Sequence, residues 1–291
     1  MPNYREFTVR LHAMSGMRRV TSTMKMVAAS HLHRAQNELL FPVPFNKELR
    51  KLTALASTLP VSHQHRLCLP PPGGPAKILL VVMTSDRGLC GSFNSLIVHE
   101  VRRWVAEQRI ARELTIETIY VGQKGHSALS RELPACMPPF DLSAHPRFQE
   151  TEPISTYAMD RFMDNTYSEV WIVGSRFVNT LRHDPETWRI LPIDRQAECR
   201  KEKPPAVMPI LEPMDDRMLA TIARQLVHYH IYAAQLHRAA SEQASRVMAM
   251  ESATTNLRMM EKMLTLQRNR ARQATITNEL TEIVSGAETL T

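Results

Sequence analysis

Glycine is scarce and unevenly spread in this 291-residue chain: there are nine, and seven lie between Gly73 and Gly174. From Met214 to Ser285, 72 residues pass without a glycine or a proline, although the chain holds 19 prolines. Both residues weaken or break helices, so their absence predicts one continuous helix, about 108 Å long at 1.5 Å of rise per residue. Globular helices run to roughly 20 residues, so a helix of this length connects two separated places.

Other shortages narrow the function classes. Aromatic residues make up only 6% of the chain, and no window interleaves Lys or Arg with Phe or Tyr as a base-stacking platform requires. Long apolar runs are missing too. Ile78 to Met83 is the best, far short of the roughly 18 residues of a membrane span, which leads to the expectation of a soluble chain without direct membrane insertion. The helical pattern begins within the first ten residues, so no apolar signal-peptide core is expected here; a targeting segment would precede this sequence or overlap the first helix. Cysteine is limited to Cys68, Cys90, Cys136 and Cys199, with no C-x-x-C and no matching His spacing. Four free thiols are expected, with neither a disulfide framework nor a zinc site.

What is present is positive charge and helical periodicity. The formal charge of +7 favours acidic partners. Near the N-terminus an apolar stripe steps by threes and fours through Tyr4, Phe7, Leu11, Met14, Met17, Val20, Met24 and Val27, up to a break expected at Pro42 and Pro44. The long C-terminal helix steps the same way through Leu219, Ile222, Leu226, Tyr229, Ala233, Leu236, Ala240, Ala244, Val247, Met250, Leu257, Met260 and Leu264. Alternating steps of three and four are the heptad signature, so the two ends are expected to pair as a coiled coil. Its seam, rich in Ala, Met and Ser, favours close backbone approach over bulky knobs and needs outside support.

Between the ends, Lys77–Thr84 reads as a buried strand feeding the turn Ser85-Asp86-Arg87-Gly88. A helix follows at Asn94–Gln108, a strand at Thr115–Val121, a short helix after Gly122, a helix near Ile154–Asn165 and a strand at Glu169–Val178. Thr187–Pro192 is its expected hairpin partner, and Pro204, Pro205, Pro209 and Pro213 mark a linker. Alternating strands and helices imply a parallel sheet. The expected architecture is therefore α/β with long helices: an antiparallel coiled coil of N- and C-terminal helices carrying an inserted Rossmann-like α/β domain. Its zones are residues 1–60, 76–210 and 214–291.

No catalytic constellation emerges. Ser85 to Asn94 occupies a strand-to-helix turn but lacks the Gly-Lys-Ser/Thr ending of a phosphate loop, so it reads as structural. Cys90 is placed like a nucleophile without an assignable base, and its plainer role is a small buried residue. The pairs His31/His33, His63/His65 and His228/His230 are spaced i, i+2, which on a helix points them about 200° apart. They read as solvated or interfacial, not as metal ligands. Arg268, Arg270 and Arg272 form a basic stretch; by itself this is a solvated face, although the guanidinium fork also suits carboxylates presented around the helix.

Three motifs taken together resemble one family. Val20-Thr21-Ser22-Thr23-Met24-Lys25-Met26-Val27-Ala28-Ala29-Ser30, with Arg34-Ala35-Gln36 after it, is similar to the N-terminal helix of the γ subunits of F-type ATP synthases. Ser85 to Asn94 resembles the central-domain turn of that family. Asn269-Arg270-Ala271-Arg272-Gln273-Ala274-Thr275-Ile276-Thr277, followed by Glu279 to Ala287, resembles its C-terminal signature. The motifs stand in family order over residues 20 to 287.

The resemblance implies a rotor subunit that does no chemistry and needs no cofactor. Its implied partners are the α and β subunits of the α3β3 ring, the δ and ε central-stalk subunits and the membrane c-ring, with one copy per complex and no nucleic acid. Correspondence with the family assigns contacts with the β subunit to Met24, Lys25, Arg272, Gln273 and Thr277. It places Leu280, Ile283, Val284, Ala287 and Leu290 in an apolar sleeve at the top of the ring. The basic, Met- and His-rich composition suggests a mitochondrial member, on the matrix side of the inner membrane, before a bacterial one on the cytoplasmic side of the plasma membrane. Pro42 and Pro44 depart from the family, whose first helix continues through this region, and the loop Pro70–Pro75 looks specific to its lineage. No inserted segment with a cysteine pair is seen, which argues against thiol regulation of the chloroplast type.

Overall fold

The computed structural model describes residues 4–40, 42–57, 66–69, 77–111, 114–141, 143, 145–193 and 216–288. Pro70–Pro75, His63, His65, Cys199, Leu290 and the four linker prolines lie outside them. The helices are α1 (Tyr4–Leu40), α2 (Val43–Ser57), α3 (Phe93–Ala111), α4 (Gln123–Leu129), α5 (Glu152–Met163) and α6 (Asp216–Glu288). The strands are β1 (Lys77–Met83), β2 (Thr115–Val121), β3 (Glu169–Asn179) and β4 (Arg182–Leu191).

Helix α6 runs for 73 residues, the length expected from the missing glycines and prolines. Helix α1 stops at Leu40 and α2 starts at Val43, on either side of Pro42, which has no N–H to continue the ladder. The sheet order is β2-β1-β3-β4, with β1 parallel to both β2 and β3 and β4 antiparallel to β3. The hairpin partner thus starts earlier than Thr187 and includes Pro185, a residue tolerated because β4 is an edge strand.

The chain divides into two compact units: residues up to Ala29 with those from Arg246 on, and residues Ser30–Ser245. The second unit is layered. Leu79, Val81 and Met83 point to a core shared with α5 and the first turns of α6, including Ile154, Phe162, Leu226 and Ile231. Ile78, Leu80 and Val82 point the other way, to Phe93, Ile97, Val101 and Trp104 of α3. A strand covered on both faces needs a continuous apolar run, and β1 supplies one.

The carboxyl ends of β1 and β2 are drawn together by Thr84. Its hydroxyl donates to the Val121 carbonyl at 3.0 Å and accepts the Gly125 N–H at 2.9 Å. Gly122 sits at φ 95°, and a Cβ there would meet the Thr84 carbonyl oxygen at 2.5 Å. Glycine is required at this approach by both conformation and space.

In the first unit α1 and α6 pair, and the expected stripe is covered at Tyr4, Phe7, Leu11 and Met14 of α1 and at Val247, Met250, Leu257 and Leu264 of α6, but not from Met17 to Val27. Met17, Val20, Met24 and Val27 are exposed, Met17 by 54%, and so is Met260 on α6. The more covered positions are Arg18, Thr21, Ser22 and Lys25 on α1, with Ala28 buried, and Thr254, Leu257, Glu261 and Leu264 on α6. This corrects the expected seam by about one residue. Arg18 reaches Glu261 at 3.0 Å, Thr254 donates to the Thr21 hydroxyl at 3.1 Å, and Lys25 pairs with Glu251. Over this stretch the polar and charged pairs leave Met17, Val20, Met24, Val27 and Met260 outside, while Leu257 and Leu264 stay in the seam.

Candidate functional site

Exposed apolar side chains are the notable surface feature of the first unit. On α1 it comprises Met17, Val20, Met24, Met26 and Val27; on α6 it comprises Met259, Met260, Met263, Leu266, Ile276, Leu280, Ile283 and Val284. Exposed apolar area on this scale marks a surface that meets a partner. Methionine, unbranched and polarizable, adapts to more than one facing shape. Among the residues of this unit eleven Lys and Arg stand against six Glu, so it carries +5 of the chain's +7. The same surface is therefore apolar and electropositive.

The residues assigned from resemblance to partner contacts all fall in this unit. Met24 is exposed, whereas Lys25 is half-buried and engaged with Glu251. Arg272 and Gln273 are exposed, and the Gln273 carbonyl accepts the Thr277 hydroxyl at 3.0 Å, a bond that leaves the Gln273 side chain outside. Of the basic triplet, Arg268 lies half-buried and donates to Asn269 Oδ1 at 3.2 Å, while Arg270 and Arg272 face solvent. Leu280, Ile283 and Val284 are exposed in the last turns of α6. Ala287 lies in α6, and nothing further is described of its side chain; Leu290 falls outside the described residues. The helix brings these positions onto one rod without gathering them into a pocket.

The turn after β1 is a closed polar network. Ser85 N–H donates to Asn94 Oδ1 at 3.0 Å, and Asn94 Nδ2 donates to Ser85 Oγ at 2.8 Å and to Cys90 Sγ at 3.1 Å. Cys90 is buried and surrounded by an amide and a hydroxyl, so no base activates it. Nearby, burial pushes the Asp86 carboxyl up to about 6; a hydrogen bond with Asp141 adds to the rise, and the Gln123 N–H at 3.0 Å opposes it. Two carboxyls facing each other share a proton readily. No nucleophile is set against either.

The histidine pairs separate as their spacing requires. His31 meets His145 at 3.0 Å, and His228 is buried, its Nε2 within 2.9 Å of the Phe148 carbonyl and its ring stacked on Phe148. Burial, with Arg176 nearby, pushes His237 down to about 4, so its neutral Nδ1 accepts the Phe177 N–H at 3.3 Å.

Sequence periodicity passes over Arg238, which lies off the α6 stripe between His237 and Ala239 and resembles a solvated charge. It is only 2% exposed. Its Nε donates to Gln235 Oε1 at 2.8 Å and its Nη1 to Glu242 Oε2 at 2.7 Å. The i, i+4 acid at Glu242 was the available sign that this arginine has a partner on its own helix.

Known proteins match this arrangement along its whole length. The model of the ATP synthase family covers residues 3–290. The ATP synthase gamma chain of Dinoroseobacter shibae is 35% identical over 294 residues, covering 100% of this chain and 100% of that protein. The ATP synthase gamma chain of a Roseiflexus species is 32% identical over 291 residues, covering 100% of this chain and 99% of that protein. A chain from the central stalk and c-ring of the Tetrahymena thermophila mitochondrial ATP synthase matches with a TM-score of 0.55 and 27% identity, over 80% of this chain and 99% of that one. A chain of the Euglena gracilis mitochondrial ATP synthase shares the fold, with a TM-score of 0.65 at 17% identity over 99% of this chain and 94% of that one. The chain belongs to the ATP synthase gamma chain family, the central-stalk rotor subunits of F-type ATP synthases, which are parts of that enzyme without catalysing a reaction themselves.

Proposed function

We propose that the paired helices of α1 and α6 turn inside an α3β3 ring, one copy per complex, while the sheet-bearing unit takes up torque from a membrane c-ring with δ and ε subunits beside it. The observation that carries this reading is the outer face of the coil: Met17, Val20, Met24, Val27 and a surplus of arginine face outward, while Arg18, Thr21 and Lys25 make polar contacts in the seam. A rod that pairs this way presents adhesive surface to something enclosing it. Arg272, Gln273 and Thr277, with Met24 and Lys25 on the other helix, are assigned to acidic and polar groups of the β subunits. Leu280, Ile283, Val284, Ala287 and Leu290 are assigned to an apolar sleeve at the top of the ring.

No helix among the described residues is long and apolar enough to cross a membrane, and a peripheral position fits that. The position proposed is the face of the membrane on which ATP is made. The composition favours the mitochondrial matrix, and the bacterial relatives favour the cytoplasmic side of a plasma membrane.

Reconstitution tests the reading. The chain should co-purify at one copy per three αβ pairs, and Arg272→Ala with Gln273→Ala should lower both ATP hydrolysis and proton pumping. Each charge-assisted bond lost is worth about 1.5 to 3 kcal/mol. Unchanged hydrolysis and pumping in the double variant would remove these two residues from the contact.

A further inference from the structure

A helix that carries torque must be prevented from spinning in its seat. Leu226, Ile231 and Leu236 seat α6 in the core of the second unit, but past Leu236 its buried apolar residues are Ala239, Ala240 and Ala244, which offer little relief. Polar contacts supply what the alanines lack. His228 meets the Phe148 carbonyl at 2.9 Å and the Thr151 hydroxyl at 3.0 Å; His237 accepts the Phe177 N–H at 3.3 Å; Ser245 donates to the Cys90 carbonyl at 2.7 Å. Arg238 Nη1 donates to the Thr84 carbonyl at 3.3 Å and Nη2 to the Ser143 carbonyl at 3.4 Å.

These fasteners surround the helix. At about 100° per residue, His228 and His237 lie about 180° apart, while Arg238 and Ser245 lie about 20° apart on a third side. Rotation of α6 about its axis therefore breaks contacts on three sides at once. Arg238 differs from the other fasteners in tying two segments, the end of β1 and the loop at Ser143, with one planar group. Gln235 and Glu242 hold that group from its own helix.

We propose that Arg238 is the torsional key of the rotor, the positioning residue through which a twist of the sheet-bearing unit enters α6. The proposal rests on the rotor reading. It assigns to a single buried guanidinium the task of fixing the rotational register of the helix against the carboxyl end of β1. Past Ser245 the helix continues without a break, so what is gripped there turns the remainder of α6.

The test is the torsional stiffness of the reconstituted complex, read from the angular fluctuations of a bead on the rotor while the ring is held. Two variants are measured beside the wild type. Arg238→Met with Glu242→Met removes both buried charges together, so that neither is left unpaired. Arg238→Lys keeps a charge for Glu242, but its compact ammonium cannot span both carbonyls. Arg238 makes two of the six contacts described above, so with equal and additive springs the angular variance should rise about 1.5-fold in the double methionine variant, which loses both, and at least about 1.2-fold in the lysine variant, which keeps one at most. ATP hydrolysis by the complex should persist, a split that simple loss of fold does not produce. A rotating wild type with unchanged variance in both variants overturns the role of Arg238 alone, as does a lysine variant as stiff as wild type. A wild-type complex that does not rotate overturns the rotor reading and this proposal with it.

Discussion

The two units solve opposite problems with the same kinds of side chain. In the sheet-bearing unit Leu79, Ile172 and Leu226 are sealed inside, and the exposed positions of α3 are mostly polar or charged, such as Arg102 and Glu107, with Leu96 and Ile110 the large apolar exceptions. In the paired-helix unit the seam holds Arg18, Glu261, Thr21 and Thr254, while Met26, Met263 and Ile283 face out. A core that is finished inside one chain stabilises that chain. On the proposed reading, a rod with many apolar side chains outside is left to be completed by other subunits and stays separable enough to turn.

Deletion of a large side chain in each unit puts the strongest strain on that comparison. Leu226→Ala removes a fully buried side chain from the sheet-bearing core and should lower the stability of the free chain by about 2 to 5 kcal/mol. Met263→Ala removes a side chain that is 61% exposed and should stay within about 0.5 kcal/mol. Urea midpoints of the two variants check this. Equal losses would mean that Met263 is already packed within the chain, and the contrast between the units would collapse.

A smaller effect tests whether the sheet-bearing unit tolerates a strained polar group. Asp86 has its carboxyl raised from 3.8 to about 6, chiefly by burial and then by the hydrogen bond with Asp141. A raised acid favours the protonated fold, so its contribution is complete below the unfolded value near 3.8 and is lost as pH rises through about 6. Asp86→Asn should therefore raise the melting temperature at pH 7.5, by roughly 1 to 3 °C after allowance for partial exposure, and leave it unchanged near pH 4. Calorimetry at the two pH values reads the difference. A variant less stable at pH 7.5 would show that the Gln123 N–H needs the charged carboxylate.

The contrast also explains which features the sequence made legible. The length of α6 was readable because helix breakers are absent, and β2 because β-branched and aromatic residues run up to Gly122. β4 was read too short, since Arg182, Asp184, Pro185 and Glu186 look like a turn; an edge strand needs only one bonded side and accepts them. The register of the coil was misread at Met17, Val20, Met24 and Val27. Periodicity reports that a face is adhesive, and it does not report which surface that face meets. Arg238 was hidden for a related reason: an arginine among alanines looks solvated until the fold puts the Thr84 and Ser143 carbonyls above it. The contact residues near Arg272 came from motif resemblance alone, since an exposed basic stretch has no distinguishing geometry.

The smallest expected effect concerns the polar seam itself. Arg18 and Glu261 meet at 3.0 Å with side chains 34% and 20% exposed, so water and salt screen much of their attraction. A double-mutant cycle with Arg18→Met and Glu261→Gln should give a coupling of about 0.2 to 1 kcal/mol, shrinking as salt is raised from low to molar concentration. A weak, salt-sensitive seam suits a rod held chiefly by its housing. A coupling above about 2 kcal/mol that ignores salt would instead describe a buried, self-sufficient coiled coil. The exposed apolar side chains would then be surplus surface on a shaft already stable by itself, and the difference between the two units would be one of composition without a difference in what completes them.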